Sequence, residues 1–319
     1  MREDFPAPAQ CVQRKQGRTA DGDDHARRCL DATRDRGAPA AVSVRRARYV
    51  PRALAACLLV VAAGCGAPAA TAPPVPSAPA APGHWHRVFA DDFGGSRLDA
   101  AKWATCYDWN RGGCTNSTNH ELQWYLPGQV AVGGGKLTLT AQRRTTKGTD
   151  GHTYPWTSGM VSTGRDSWNA RPRATFTYGY FAAAVRIPSQ GGMLPAFWLM
   201  PASRRTPPEL DVAEGLGSTS TVRMTTHWKG PDGTEQSAAG RYGPVDFPAG
   251  YHVFALDWEP ASLTWYVDGT PRFRVTAAPR IPRVPMEVLL TLAVGYPSPP
   301  PRGVDSAEMS VGWVGVWQH

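Results

Sequence analysis

The 319 residues carry 34 Lys/Arg against 26 Asp/Glu, a net charge of +8, with 42% hydrophobic side chains and 30 prolines. Residues 1–52 hold 12 of the bases and 7 of the acids, leaving 22 bases against 19 acids in the rest. That near-balance removes the main argument for a nucleic-acid partner, which would need a basic patch on the folded part, and none is expected.

Residues 1–44 contain too little apolar surface to offset chain entropy and read as a disordered leader, or as the product of a start codon assigned too early. Residues 45–65 read as an export signal. Arg45, Arg46, Arg48 and Arg52 precede an apolar run over 53–63. At about 11 residues this run is too short for a membrane-spanning helix but fits a signal h-region. Val61-Ala62-Ala63-Gly64-Cys65 resembles a bacterial lipobox, making Cys65 the expected lipidation site; ordinary cleavage after small residues is the alternative. Residues 66–82, nearly all Ala, Pro, Thr and Gly, predict an extended tether. The expected location is outside the cytoplasm, on the outer face of the cell membrane through a lipid anchor, or secreted.

One domain is expected over 83–319. Cys106 and Cys114 are its only cysteines. In an oxidising compartment they are expected to pair and close a short loop, contributing about 2–3 kcal/mol. Alternating runs follow. Lys136-Leu137-Thr138-Leu139-Thr140-Ala141 has period 2, and so has Leu263-Thr264-Trp265-Tyr266-Val267, which meets Asp268-Gly269 and then Arg272-Phe273-Arg274-Val275. Asp-Gly between two such runs predicts a hairpin. Further strands are expected over 180–187, 196–200, 221–227, 252–258, 287–293 and 310–317. No long stretch keeps a 3.6-residue apolar period. The fold class is therefore all-β, a sandwich of a dozen or more strands.

Glu209-Leu210-Asp211-Val212-Ala213-Glu214 concentrates the chemistry. Alternation puts Glu209 and Asp211 on one face and leaves Glu214 one residue out of phase. A bulge at Val212 or Ala213 would restore it. The two glutamate backbones would then stand about 13 Å apart, and inward-leaning side chains would bring the carboxyl groups to roughly 5 Å, the spacing of a retaining glycosidase. Crowded carboxylates raise one another's pKa. The expectation is a protonated Glu214 as general acid, an ionised Glu209 as nucleophile, and Asp211 sharing a proton with Glu209. A solvated acidic edge or a calcium site is the alternative reading.

This stretch, with Tyr178-Gly179-Tyr180-Phe181, Pro195-Ala196-Phe197-Trp198-Leu199, Asn119-His120-Glu121-Leu122-Gln123-Trp124-Tyr125 and Leu292-Ala293-Val294-Gly295, resembles glycoside hydrolase family 16 over residues 84–319. The resemblance implies a concanavalin-like β-jelly-roll of two curved antiparallel sheets. It also implies retaining cleavage of β-1,3- or β-1,3/1,4-glucans or related galactans, with Glu209 as nucleophile, Glu214 as acid/base and Asp211 as helper. Several positions depart from the family pattern: Ala182 and Ala184 replace Glu and Arg, Leu194 replaces Trp, Thr206-Pro207-Pro208 replaces a Trp-Pro approach, and Thr291 and Tyr296 replace Asn and Gly. These are read as changes in the cleft wall or the nearby sheet, with the acidic strand intact. Gly312 stands where family members carry a calcium-binding Asp, so no cofactor or metal is expected.

All 12 tryptophans follow residue 84, and sugar rings stack on aromatic planes. Trp124, Trp198 and Trp228 are the expected cleft aromatics, with Asn119, Glu121 and His227 as polar contacts and Trp265 as a packing residue. His227 and Trp228 are placed beside Glu214. The expected partner is a polysaccharide, bound by a monomer. A cell-wall transglycosylase using the same intermediate and a catalytically silent lectin are the rival readings.

Overall fold

The computed structural model describes residues 71–107, 113–165, 167 and 169–319. The leader, the export signal and Cys65 lie outside them. The strands are β1 (His86–Asp91), β2 (Gln123–Tyr125), β3 (Val130–Val132), β4 (Leu137–Gln142), β5 (Thr146–Lys147), β6 (Thr153–Tyr154), β7 (Trp156–Ser158), β8 (Met160–Ser162) and β9 (Gly179–Arg186). They continue as β10 (Met193–Pro201), β11 (Glu209–Glu214), β12 (Val222–Lys229), β13 (Glu235–Tyr242), β14 (His252–Glu259), β15 (Ser262–Val267), β16 (Thr270–Val275), β17 (Met286–Val294) and β18 (Ser306–Gln318). No α-helix occurs among the described residues.

Two sheets form the sandwich. The larger runs β16-β15-β14-β9-β18-β4-β7-β2, with β1 added on β18 and β3 on β4. The smaller runs β13-β12-β11-β10-β17-β8. Pairing is antiparallel apart from β2, which lies parallel to β7. The Asp-Gly hairpin forms as expected: Asp268 and Gly269 have φ of 52° and 73°, the twist that joins β15 to β16. β13 escaped the strand reading because Glu235-Gln236-Ser237-Ala238-Ala239-Gly240 lacks β-branched residues. It is an edge strand whose outer positions face solvent.

Between the sheets lies a core of large side chains, including Phe181, Phe197, Phe254, Trp258, Trp265 and Leu290. A second apolar cluster covers the outer face of the larger sheet. There Tyr180, Ala182, Ala184, Ala255, Trp313 and Trp317 pack with Ala72, Val75 and Ala81. The described part of the Ala/Pro-rich stretch thus lies along this sheet, where the sequence predicted an extended tether. Trp313 Nε1 donates to the Pro73 carbonyl at 2.7 Å, and Trp85 Nε1 to that of Ala81 at 3.1 Å. Ala182, Ala184 and Gly312 leave the groove it occupies; a Cβ on Gly312 would collide with Ala72. Ala182 and Ala184 therefore line this groove on the opposite face of the sandwich from the acidic strand, and they are not cleft-wall substitutions.

Candidate active site

β11 is built to turn three acids outward. Leu210, Val212 and Ala213 enter the core. On the β10 side Trp198 pairs with Asp211, Phe197 with Ala213 and Ala196 with Glu214, so Val212 is the extra residue of a bulge. On the β12 side the register slips between Asp211 and Glu214 as well. Two consecutive residues thus point inward, and Glu214 returns to the face of Glu209 and Asp211. The Asp211 carbonyl at the bulge accepts a hydrogen bond from Trp265 Nε1 at 2.8 Å, so the polar group left by the irregular ladder is satisfied from the opposite sheet.

Burial is the main influence on the two glutamates. It lifts Glu209 to about 8, with Asp211 as the second cause. It raises Glu214 well above the ordinary carboxyl range, with Asp211 and Glu209 adding to it and Arg223 opposing. The expectation of a protonated Glu214 agrees with this; the expectation that Glu209 is ionised in the idle site does not, because the same desolvation acts on both. The pair titrates as a unit, both members held toward the protonated form by the same burial.

Asp211 is oriented by His227. The imidazole Nε2 lies 3.1 Å from Asp211 Oδ2, and Nδ1 lies 3.0 Å from Glu235 Oε1. Burial disfavours the imidazolium, but Asp211, Glu209 and Glu235 outweigh it and raise His227 to about 9. Both ring nitrogens therefore donate at neutral pH. Side-chain ligand atoms of Glu209, Asp211 and His227 lie within 4.8 Å of one another. This set could accept a cation, but the imidazolium already supplies the positive charge.

His227 faces Glu209 across the β11–β12 ladder, and Arg223 faces Glu214. The sequence places His227 beside Glu214; the hairpin register sets it opposite Glu209 instead. Trp228 alternates away from His227 and lies over Arg280, 5.1 Å from the ring centre. It is not a cleft residue. Trp124 is also misplaced by the sequence reading. It turns opposite to Gln123 and Tyr125, is 4% exposed and packs on Tyr154.

Trp198 does lie on the acidic face, next to Asp211, with its Nε1 donating to Thr291 Oγ1 at 3.2 Å. Tyr125, singled out in the sequence only as part of a motif, and Tyr107, unremarked there, join it in one cluster. The alternation of Tyr125 with Gln123 could have signalled Tyr125; no sequence pattern signals Tyr107. Glu121 receives hydrogen bonds from Asn119 Nδ2 at 3.2 Å and Gln123 Nε2 at 2.6 Å. Burial lifts it to about 7, and its charge reaches Glu209. Both Glu121 oxygens are thus engaged within the protein. Cys106 and Cys114 form the expected disulfide, with Cα atoms 5.1 Å apart.

The model of the family "Glycosyl hydrolases family 16" matches residues 118–315. The chain belongs to glycoside hydrolase family 16. It is 32% identical over 248 residues to the endo-1,3-1,4-beta-glycanase EglC of Rhizobium meliloti, covering 72% of this chain and 50% of that protein. It is 30% identical over 267 residues to a beta-glucanase of Rhodothermus marinus, covering 74% and 86%. The chain spans about half the length of EglC and of a second Rhizobium meliloti relative, the endo-1,3-1,4-beta-glycanase ExsH. Among solved structures, the laminarinase of Rhodothermus marinus superposes with a TM-score of 0.61 at 28% identity, over 74% of this chain and 98% of that one. The endo-beta-1,3-glucanase of Pyrococcus furiosus gives 0.60 at 26%, over 73% and 94%. The all-β sandwich is thus the jelly roll of this family.

Proposed function

We propose that this glycoside hydrolase family 16 chain is a retaining endo-β-glucanase that cuts β-1,3- or β-1,3/1,4-glucan by double displacement. The observation carrying this reading is the bulge in β11, which turns Glu209 and Glu214 to one face with Asp211 between them. Glu209 attacks the anomeric carbon as its carboxylate, the form it takes once its own proton has left to solvent, while Glu214 gives its proton to the departing glycosidic oxygen. A glycosyl ester on Glu209 results. Glu214, now a base, takes a proton from water, which attacks the same carbon and frees Glu209. His227 keeps Asp211 turned toward the pair. Relatives named as beta-glucanase and endo-1,3-1,4-beta-glycanase support the substrate class.

A sugar hydroxyl replacing water in the second step gives a transglycosylase with the same residues. The lectin reading rested on supposed cleft substitutions, of which Ala182 and Ala184 belong to the far face. Export and anchoring through Cys65 complete the proposal and place the enzyme outside the cytoplasm.

The test is a screen of the full chain and its Glu209→Gln variant against laminarin, lichenan, curdlan, agarose and carrageenan. Cleavage by the wild type, lost by at least about a thousandfold in the variant, is expected. Binding without cleavage would leave a lectin. Oligosaccharides longer than the starting material would mark transfer. Cys65→Ser is expected to free the protein from membranes; continued retention counts against the anchor.

A further inference from the structure

The acidic face has two unlike halves. On the β10, β17 and β8 side Trp198, Tyr107, Tyr125, Met160 and Leu289 make an aromatic and apolar floor. On the β12 and β13 side the floor is polar and carries two arginines. Arg223 pairs with Glu214 on one side and with Arg241 on the other, so Glu214, Arg223 and Arg241 form one row across three adjacent strands. Val222 and Met224, flanking Arg223, are core residues, and Ala238 and Tyr242 pack against the same core. Alternation therefore turns both arginines to the face that holds the acids. Arg223 is half-buried and Arg241 exposed.

Among the described residues neither guanidinium has a hydrogen bond or an ion pair. The partly buried Arg223 acts electrostatically on Glu214. The other carboxylates beside this row are engaged elsewhere: Asp211 and Glu235 are held by His227. A glycan lying across the strands with its scissile bond over β11 puts its next units over β12 and β13, about 5 and 10 Å away. A neutral glucan offers only hydroxyls and C–H faces there. Two adjacent guanidinium groups match the planar oxygens of a carboxylate or a sulfate, to which arginine bonds through two parallel N–H donors.

We propose that Arg223 and Arg241 form an anion-binding subsite, so that the preferred substrate is a β-linked glycan bearing carboxylate or sulfate groups on the units over β12 and β13. The proposal rests on the reading of the chain as a β-glucanase, and the two can fail separately. Binding is measured first, by calorimetry on the full-length Glu209→Gln chain with three probes: a neutral β-1,3-glucan, the same glucan sparsely carboxymethylated, and the same glucan sparsely sulfated. The charged glucans are expected to bind about tenfold more tightly at low salt, and the advantage should shrink as salt is raised. Arg241→Gln in that background is expected to reduce the charged-to-neutral affinity ratio by most of this factor. Arg241 lies a strand beyond Glu214's neighbour, so this variant reads anion binding apart from the acid's own titration. Preference for one charged glucan identifies the anion as carboxylate or sulfate. Turnover on the wild-type chain is read separately, so that absent cleavage with intact anion preference sinks only the hydrolase reading. Equal affinity for all three glucans, no binding of any, or a ratio unchanged by Arg241→Gln overturns the subsite.

Discussion

The indole of Trp265 reaches from β15 through the core to donate to the backbone carbonyl of Asp211 at 2.8 Å. This bond joins the two sheets at the point where β11 breaks its regular pairing, and that break aims Glu214. A residue read from sequence as packing thus supports the geometry of the acidic strand.

Trp265→Phe should keep most of the buried ring while orphaning the Asp211 carbonyl. The expected loss is about 1–3 kcal/mol in denaturant unfolding, with kcat reduced more than KM is changed. Unaltered kcat would mean that the backbone alone holds the bulge.

Stability should fall as pH rises from about 5 to 9. Burial holds Glu209 at about 8 and Glu121 and Glu287 at about 7, against 4.5 for free carboxyls. Over that interval the folded chain binds more protons than the unfolded one, which gives a negative slope of stability with pH. His227, raised to about 9 from 6.5, adds stability that is complete below about 6.5 and lost as pH climbs through 9. All four groups act in one direction. Thermal unfolding of the wild type and of Glu121→Gln at pH 5 and pH 8 checks this. The variant should lose less Tm between the two, and a wild-type Tm that increases toward pH 8 contradicts the sign.

His227→Asn removes the bridge between Asp211 and Glu235. Turnover is expected to drop about ten- to hundredfold, because Asp211 loses the donor that fixes its direction. The accompanying Tm loss should be larger at pH 6, where the imidazole is charged, than at pH 10, where it is neutral. Equal Tm losses at both values would assign His227 a packing role only.

The stretch over 71–82 behaves as part of the domain. Gly312→Val should displace Ala72 and cost about 1–3 kcal/mol. In a chain lacking residues 71–82 the same substitution should cost far less, because the two changes remove one shared contact. Additive losses in the double-mutant cycle would show that Gly312 and Ala72 do not meet in solution.

Local pattern was enough for β4, β15 and the Asp268-Gly269 turn, where alternation and positive φ are written into neighbouring residues. It was also enough for the acids of β11, since a bulge was the simplest way to bring Glu214 into phase with Glu209. The pairing of Cys106 with Cys114 needed only a count. These features are short-range, and the chain encodes them within a few residues.

Other relationships depend on which strands become neighbours, and no local period carries that. The β11–β12 register decides that His227 meets Asp211 and Arg223 meets Glu214. Side-chain direction decides that Trp124 and Trp228 turn away from the acids while Tyr107 and Tyr125 line the face. The raised pKa of Glu209 also came from outside the motif, because desolvation is set by the depth at which the whole sheet holds it. The sequence alone determined the all-β class and singled out the acidic run of β11, since both are written in neighbouring residues. Only the tertiary structure decided what surrounds those acids, because a one-residue difference in strand register exchanges one face of a sheet for the other.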